Sequence, residues 1–214
     1  MKKSSSNKWL KEHFSDIYVK SAQRDGLRAR SVYKLMEINQ KYHLVKSGMT
    51  VVDLGAVPGS WSVYLASVVG AKGKVFALDK LPMAAVNGVE FIQGDFSQDS
   101  IVDLLYTRVN SKKVDVVLSD MAPNLSGVKS VDFLRAIELT KQALNFARKV
   151  LKPGGDFLIK IFHGDGLEDF HKLVKEHFDV VKMLKPKASR PRSSEVFLMS
   201  RGFKYSVGDG NNIQ

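Results

Sequence analysis

Short hydrophobic runs alternate with amphipathic stretches from Thr50 onward. The runs are rich in β-branched residues, which predicts strands, and the stretches between them carry apolar residues at helical spacing. Strands that alternate with helices form a parallel sheet covered by helices on both faces. The pattern predicts seven strands, at Thr50–Leu54, Lys74–Asp79, Val89–Gln93, Val114–Ser119, Asp156–Phe162, Val180–Leu184 and Glu195–Met199.

The C-terminal half of the chain contains the longest predicted helix and a different kind of connection. Apolar residues at helical spacing predict a helix from Ser130 to Leu151, which Pro153-Gly154-Gly155 ends. A basic loop, Lys185–Arg192, joins the last two strands without a helical pattern, so we expect an antiparallel hairpin at the sheet edge. The predicted fold is therefore α/β and Rossmann-like, with seven mostly parallel strands, helices on both faces and a C-terminal antiparallel hairpin.

The two ends of the chain differ from this central pattern. Amphipathic spacing predicts a helix at Ala29–Tyr42 and a short one at Ser6–Lys11. We interpret residues 1–46 as a basic helical appendage of the same domain, and residues 47–204 as the main α/β unit. Residues 205–214 are rich in Gly and Asn, which favours a flexible tail.

The net charge of +11 is concentrated at these ends. Residues 1–46 carry eleven Lys and Arg against four acids, and residues 182–204 carry seven against one. Basic ends on a near-neutral centre indicate two surfaces that could neutralise phosphates. Solvated lysines that only aid solubility are the alternative.

Several classes of protein are excluded by composition. The chain has no cysteine, which excludes disulfides, thiolate metal sites and a cysteine nucleophile, and its five histidines lack metal-ligand spacing. No apolar run is long enough to cross a bilayer, and the basic N-terminus is not followed by the apolar stretch of a secretory signal. We therefore expect a cytoplasmic protein without a metal or membrane contact, and a monomer because no exposed apolar stripe stands out.

The segment from Val51 to Ser62 has the pattern of a nucleotide-cofactor loop: a hydrophobic strand, an acid, a glycine-rich turn and the start of a helix. Gly55 and Gly59 allow close approach of the backbone to a ligand. The spacing is not G-x-G-x-x-G, and Asp53 beside the turn would repel a pyrophosphate. These two features favour the cationic S-adenosylmethionine over NAD or FAD.

Two further acids end the next two predicted strands. Asp79 is placed to bind both hydroxyls of an adenosine ribose, and Asp95 to accept from the adenine amino group while Phe96 packs on the ring. Each acid alone could instead be a helix N-cap. Together with Asp53 they predict one cofactor pocket at the sheet edge.

Charged residues near the fourth and fifth strands are candidates for catalysis. Asp120 follows the fourth strand in an Asp-x-x-Pro loop, and Lys160 interrupts an apolar run that ought to be buried. A buried lysine is costly unless it is paired, although a lysine at a strand end can reach water. Glu195 and Lys34 would pass as surface charges by composition alone.

These motifs resemble the FtsJ/RrmJ family of ribosomal RNA 2′-O-methyltransferases, over about residues 6–204. The resemblance is carried by Arg28–Leu35, the Asp53–Ser62 loop, Asp79 with Leu81-Pro82-Met83, Gly94-Asp95-Phe96, Ser119–Asn124, Leu158-Ile159-Lys160 and Arg190–Glu195. Where the family loop usually reads Ala-Ala-Pro-Gly-Gly-Trp, Val57 and Ser60 stand here, a small change that bears on cofactor affinity.

The resemblance implies the class I S-adenosylmethionine-dependent fold and a set of site residues. The catalytic tetrad corresponds to Lys34, Asp120, Lys160 and Glu195. The cofactor contacts correspond to Gly59, Trp61, Asp79, Asp95 and Asp120. The implied substrate is the 2′-hydroxyl of a uridine in large-subunit ribosomal RNA, presented on an assembled or assembling ribosomal subunit.

Lys160 is the candidate base for the ribose hydroxyl, but only as the neutral amine. A charged Lys160 would instead hold the hydroxyl oxygen, with a carboxylate or water taking the proton. We expect RNA phosphates at Arg28, Arg30, Arg190 and Arg192. A non-catalytic RNA-binding assembly factor and an NAD-dependent oxidoreductase are the alternative functions; the tetrad disfavours the first, and the acid at the turn the second.

Overall fold

The computed structural model describes five stretches of the chain, residues 16–109, 114–123, 126–164, 166–190 and 192–204. The short helix expected at Ser6–Lys11 and the tail expected at 205–214 lie outside them. The helices are α1 (Ile17–Arg24), α2 (Val32–Tyr42), α3 (Ser60–Val69), α4 (Asp99–Val109), α5 (Lys129–Val150) and α6 (Leu167–His177). The strands are β1 (Thr50–Leu54), β2 (Lys74–Asp79), β3 (Val89–Gln93), β4 (Val114–Ser119), β5 (Leu151–Phe162), β6 (Phe178–Leu184) and β7 (Glu195–Phe203).

The strands form one sheet in the order β3-β2-β1-β4-β5-β7-β6. The pairs from β3 to β5 are parallel, while β7 runs antiparallel to both β5 and β6. This confirms the predicted Rossmann-like sheet and its C-terminal hairpin. The strand order changes direction at β1, because β2 and β3 lie on one side of it and β4 and β5 on the other. A crevice opens at the carboxyl ends of the strands at such a point.

The first four strands have the predicted bounds, whereas the last three are longer. β5 begins at Leu151, because that residue already pairs with Val114 before a shift in register. β6 and β7 extend because Phe178 pairs with Phe203 at the far end of the hairpin. The helix predicted from Ser130 accordingly ends at Val150, and Pro153-Gly154-Gly155 lies within β5.

The N-terminal helices differ more from the prediction. The helix predicted from Ala29 begins at Val32, and the sequence pattern did not predict α1, whose first turn is capped by Asp16. α1 is short and buries only Val19 and Ala22, so its apolar signal is weak. Residues 81–87, between β2 and β3, form no helix, although helices were expected in most of the gaps.

Hydrophobic packing covers both faces of the sheet. One cluster joins the sheet to α4, α5 and α6, with Leu105, Leu144 and Phe170 at its centre. The other joins the sheet to α2 and α3 through Leu35 and Leu65. The N-terminal helix α2 is thus part of the second cluster.

Within the described stretches, no helix has the length and apolar character needed to cross a membrane.

Leu35→Ala is expected to lower the free energy of unfolding by about 2 to 5 kcal/mol, because the side chain is fully buried and its removal leaves a cavity. Met36→Ala, at an exposed position of the same helix, is the matched control and should cost about 0.5 kcal/mol or less. Denaturant unfolding measures both values. Equal losses in the two variants would contradict the packing of α2 into the main core.

Candidate active site

The loop after β1 turns at Gly55, where the backbone passes close to Met121. Gly55 has φ +81°, and a Cβ there would lie 2.9 Å from the Cγ atom of Met121. Only glycine combines this conformation with this contact. The loop thereby lies against the loop after β4, which carries Asp120.

A cavity of about 630 Å³ opens at this edge of the sheet. It is lined from the strand ends by Gly55, Asp79, Asp95 and Asp120, and from α5 by residues including Arg135, Glu138 and Gln142. Its size and its four carboxylates, three of them at strand ends, fit a nucleoside with a cationic group. The residues present therefore suit S-adenosylmethionine better than a ligand with a pyrophosphate.

Asp79 and Asp95 are oriented by backbone groups. Asp79 accepts the N–H groups of Val57 and Leu81, each at 2.9 Å. Asp95 accepts the N–H of Ser97 at 3.0 Å and its hydroxyl at 2.8 Å, and these hydrogen bonds hold the pKa of Asp95 below its usual range. Both carboxylates keep free lone pairs, since each oxygen can accept more than one hydrogen bond.

Some of the expected contacts are placed differently. The Trp61 ring is 3% exposed and donates to the carbonyl of Ser31 at 3.0 Å, so a ligand could meet only its backbone N–H in the first turn of α3. Phe96 borders the cavity, but its ring packs edge-to-face on Phe146, with centroids 5.8 Å apart. Phe96 therefore borders the cavity from a position that is also packed in the core, and its expected contact with the adenine stays a prediction.

Asp53 is buried beneath the cofactor loop and is not part of the cavity wall. It is fully buried, and one of its oxygens accepts the hydroxyl of Ser62 at 2.6 Å. Burial raises the pKa of Asp53 to about 7 against the effect of that hydrogen bond, with a smaller contribution from the nearby Asp120 and Asp79. The negative charge that the sequence assigned to Asp53 at the turn is instead presented by Asp79 and Asp120.

Lys160 and Asp120 form a pair at the end of the cavity. Lys160 is 9% exposed, and its Nζ donates to the backbone carbonyl of Asp120 at 2.6 Å and lies 3.0 Å from the carboxylate oxygen Oδ1. These two contacts leave a third tetrahedral position on Nζ. That position is an N–H in the ammonium form and a lone pair in the neutral amine, so it can hold or deprotonate a hydroxyl.

A second pair joins Glu195 to Lys34. Their charged groups are 2.5 Å apart, each side chain is 13% exposed, and Ser189 donates to the same carboxylate oxygen at 2.9 Å. Burial opposes ionisation of Glu195, but the hydrogen bond and charge of Lys34, the Ser189 hydroxyl and the charge of Lys160 outweigh it and lower its pKa. Since Phe162 pairs with Glu195 and Lys160 with Phe197, the two ion pairs lie side by side.

The four arginines expected on phosphates are mostly engaged within the chain. Arg28 donates to three backbone carbonyls, and Arg30 binds Asp16 and the carbonyl of Ala188. Arg190 lies 3.7 Å from Asp16, and Arg192 is exposed. Arg28 and Arg30 thus have fewer free donors for phosphates than the sequence pattern predicts.

Several residues that shape the site escaped the sequence reasoning. Glu37 accepts the N–H groups of Lys187 and Ala188, and so fixes the turn that presents Ser189 to Glu195. Glu37 follows Lys34 by three positions on α2, and that helical spacing was a usable signal. The loop position of Ser189 gave none, and Arg28 was named by the sequence reasoning only as a phosphate contact.

A Rossmann-like sheet with a nucleoside-sized cavity and a lysine–carboxylate pair at its carboxyl edge is the architecture of a methyltransferase. A family model described as FtsJ-like methyltransferase matches residues 27–203. The curated relatives include the ribosomal RNA large subunit methyltransferase E of Acinetobacter baumannii, 53% identical over 95% of this chain and 94% of that protein. The chain therefore belongs to the FtsJ-like methyltransferase family.

Solved structures agree with this assignment. A ribosomal RNA methyltransferase from Plasmodium falciparum superposes with a TM-score of 0.72 at 29% identity, over 82% of this chain and 98% of that one. An rRNA-methylase from Clostridium thermocellum, with a TM-score of 0.53, 22% identity and coverage of 78% and 97%, supports the fold alone.

Asp53→Asn is expected to change how stability depends on pH. Because the folded-state pKa of Asp53 is raised to about 7, the folded protein retains a proton that the unfolded chain releases above its ordinary pKa of 3.8. The wild type should therefore lose stability as the pH rises through this window, and the variant should lose less. Asp103→Asn, at an exposed position, is the control, and urea unfolding at several pH values is the measurement. If the difference in free energy of unfolding between variant and wild type did not change with pH, the titration of buried Asp53 would be contradicted.

Proposed function

We propose that this enzyme transfers a methyl group from S-adenosylmethionine to the ribose 2′-hydroxyl of a uridine in large-subunit ribosomal RNA, at the stage of the ribosomal subunit. It would act in the cytoplasm as a monomer and without a metal. The observation that carries the proposal is the pairing of Lys160 with Asp120 and of Lys34 with Glu195 beside the cavity. The named function of the 53% identical relative supports the choice of RNA.

The donor fits the groups that line the cavity. S-adenosylmethionine supplies a methyl group on a positively charged sulfur. Asp79 would bind its ribose and Asp95 its adenine amino group, since both carboxylates are held in place and retain lone pairs. Backbone N–H groups at Gly59 and Trp61, in the first turn of α3, would meet its carboxylate.

The acceptor hydroxyl must be positioned and must lose its proton. Lys160 would meet the hydroxyl at its third tetrahedral position, while its contacts with Asp120 fix the direction of Nζ. If the amine is neutral, Lys160 takes the proton; if it is charged, a carboxylate or water does so. Glu195, held ionised by Lys34, would orient the ribose or stabilise Lys160.

RNA would reach this site over the surface formed by α2 and the Lys185–Arg192 loop. Lys185 donates to the carbonyl of Ser193 at 2.6 Å, and Lys187 extends the positive charge of the same loop. The chain shows no dedicated base-reading motif, which favours recognition of RNA shape and backbone. Binding should weaken as salt concentration rises.

Transfer of labelled methyl from S-adenosylmethionine to purified large ribosomal subunits, and separately to naked ribosomal RNA, tests the proposal. We expect label at an alkali-resistant linkage, which marks 2′-O-methylation. The large ribosomal subunit should take up more label than naked ribosomal RNA. Donor binding without transfer to either RNA would favour the non-catalytic assembly factor.

Lys160→Ala is expected to abolish transfer, because no other described side chain holds the position between Asp120 and the hydroxyl. Its affinity for S-adenosylmethionine should be nearly unchanged, since Lys160 does not line the main cavity. Lys172→Ala, 73% exposed on α6, serves as the control. Substantial residual transfer by Lys160→Ala would rule out its role.

A further inference from the structure

Arg28 bridges the two loops that border the cofactor cavity. Its Nη1 donates to the carbonyl of Pro58 at 3.1 Å and to that of Ala84 at 2.9 Å, and its Nη2 donates to Ala85 at 3.2 Å. Pro58 belongs to the loop after β1, and the two alanines to the loop after β2. One guanidinium from the segment before α2 therefore holds both loops.

The guanidinium also lies directly against the turn of the cofactor loop. Gly59 has φ +101°, and a Cβ at this position would lie 2.6 Å from Nη1 of Arg28 and 2.8 Å from the sulfur of Met83. Gly59 is thus required for its backbone conformation and for the space that Arg28 occupies. The N-terminus of α3, Arg28 and Met83 of the loop after β2 therefore lie close together.

The second loop is irregular and is also held near its two ends, where Leu81 donates to Asp79 at 2.9 Å and Val89 donates to the carbonyl of Val86 at 3.2 Å. Residues 81–87 form no helix, and a hydrogen bond from Val57 to Asp79 links the strand end to the loop after β1 at 2.9 Å. Irregular segments open more easily than helices and strands. The three carbonyl contacts of Arg28 therefore stabilise the observed arrangement of the two loops. A planar fork with several donors suits this role, whereas a lysine ammonium offers a single point of contact.

Arg28 is separate from the groups that would act on the hydroxyl. Arg28 donates to the three carbonyls, while Lys160 pairs with Asp120 and Lys34 with Glu195. Three of its five N–H groups donate to backbone carbonyls, although the side chain lies at an exposed position, so fewer of them remain for RNA phosphates.

We propose that Arg28 is a positioning residue that holds the two cavity loops in the arrangement that binds the methyl donor, and so sets donor affinity from the N-terminal segment. The inference rests on the proposed function for the identity of the donor. It assigns Arg28 to the donor site, in contrast to the RNA contact that the sequence favoured.

Calorimetric titration of S-adenosylmethionine into the full chain without RNA is the test. Arg28→Ala should bind the donor about 5- to 150-fold more weakly, the range typical of coupling between two sites, and Arg28→Lys should lie between it and the wild type. Arg24→Ala is the matched control, since Arg24 lies on the neighbouring helix, is 76% exposed and pairs with its neighbour Asp25. In methyl transfer, Arg28→Ala should raise the KM for the donor and leave kcat at saturating donor close to wild type.

A wild-type donor Kd for Arg28→Ala would overturn the proposal. The proposal would also fail if donor affinity were unchanged and naked ribosomal RNA bound more weakly. In that case the slope of the logarithm of the RNA binding constant against the logarithm of salt concentration should fall by about 1, which is the signature of a lost phosphate contact. If Arg28→Ala does not fold in a thermal melt, Arg28→Lys decides, and wild-type affinity there overturns it. Absence of donor binding by the wild type would instead remove the proposed function, and this inference with it.

Discussion

The placement of a lysine side chain inside an apolar strand constrains the rest of this structure. Lys160 is nine-tenths buried on β5, where desolvation of the amino group costs several kcal/mol, on the order expected for a buried ion, unless partners offset it. Asp120 supplies both a backbone carbonyl and a carboxylate, and its own N–H donates to the carbonyl of Leu54 at 3.0 Å. The pair therefore fixes the loop after β4 against β1 and β5, and that loop forms one wall of the cavity.

The N-terminal helix α2 is as important to the site as the sheet. It contributes Lys34 to the ion pair with Glu195, and Glu37 to the loop that precedes β7. Its other face contributes Leu35 to the hydrophobic cluster shared with α3. The same helix thus joins the core to the polar groups, and the surface proposed for RNA is continuous with the two ion pairs.

The sheet and Lys160 could be predicted from sequence, because strand periodicity is local and an interrupted apolar run reveals Lys160. Lys34 and Glu195 look like surface charges in the sequence and were identified only through the family resemblance, because their pairing joins distant parts of the chain. The burial of Asp53 could not be predicted, since it depends on how α3 and the loop after β4 pack around it. Arg28 looked like a phosphate ligand because charge alone is visible in sequence, whereas its carbonyl partners lie 30 and 56 or more positions away. The bounds of β6 and β7 depended likewise on their pairing with each other. The division into appendage, main unit and tail and the roles of the site residues remain predictions.

The polar contacts between the two ends of the chain also bear on the order in which the protein is completed. Glu37 binds a turn 150 positions later, and Lys34 pairs with Glu195 at the start of the last strand. β1 to β4, which carry the glycine turn, Asp79, Asp95 and Asp120, are synthesised well before that strand. Contacts of such long range form late, because the chain between them must first be ordered. During synthesis, the strand ends that border the cavity are therefore present in the chain before the second ion pair can form.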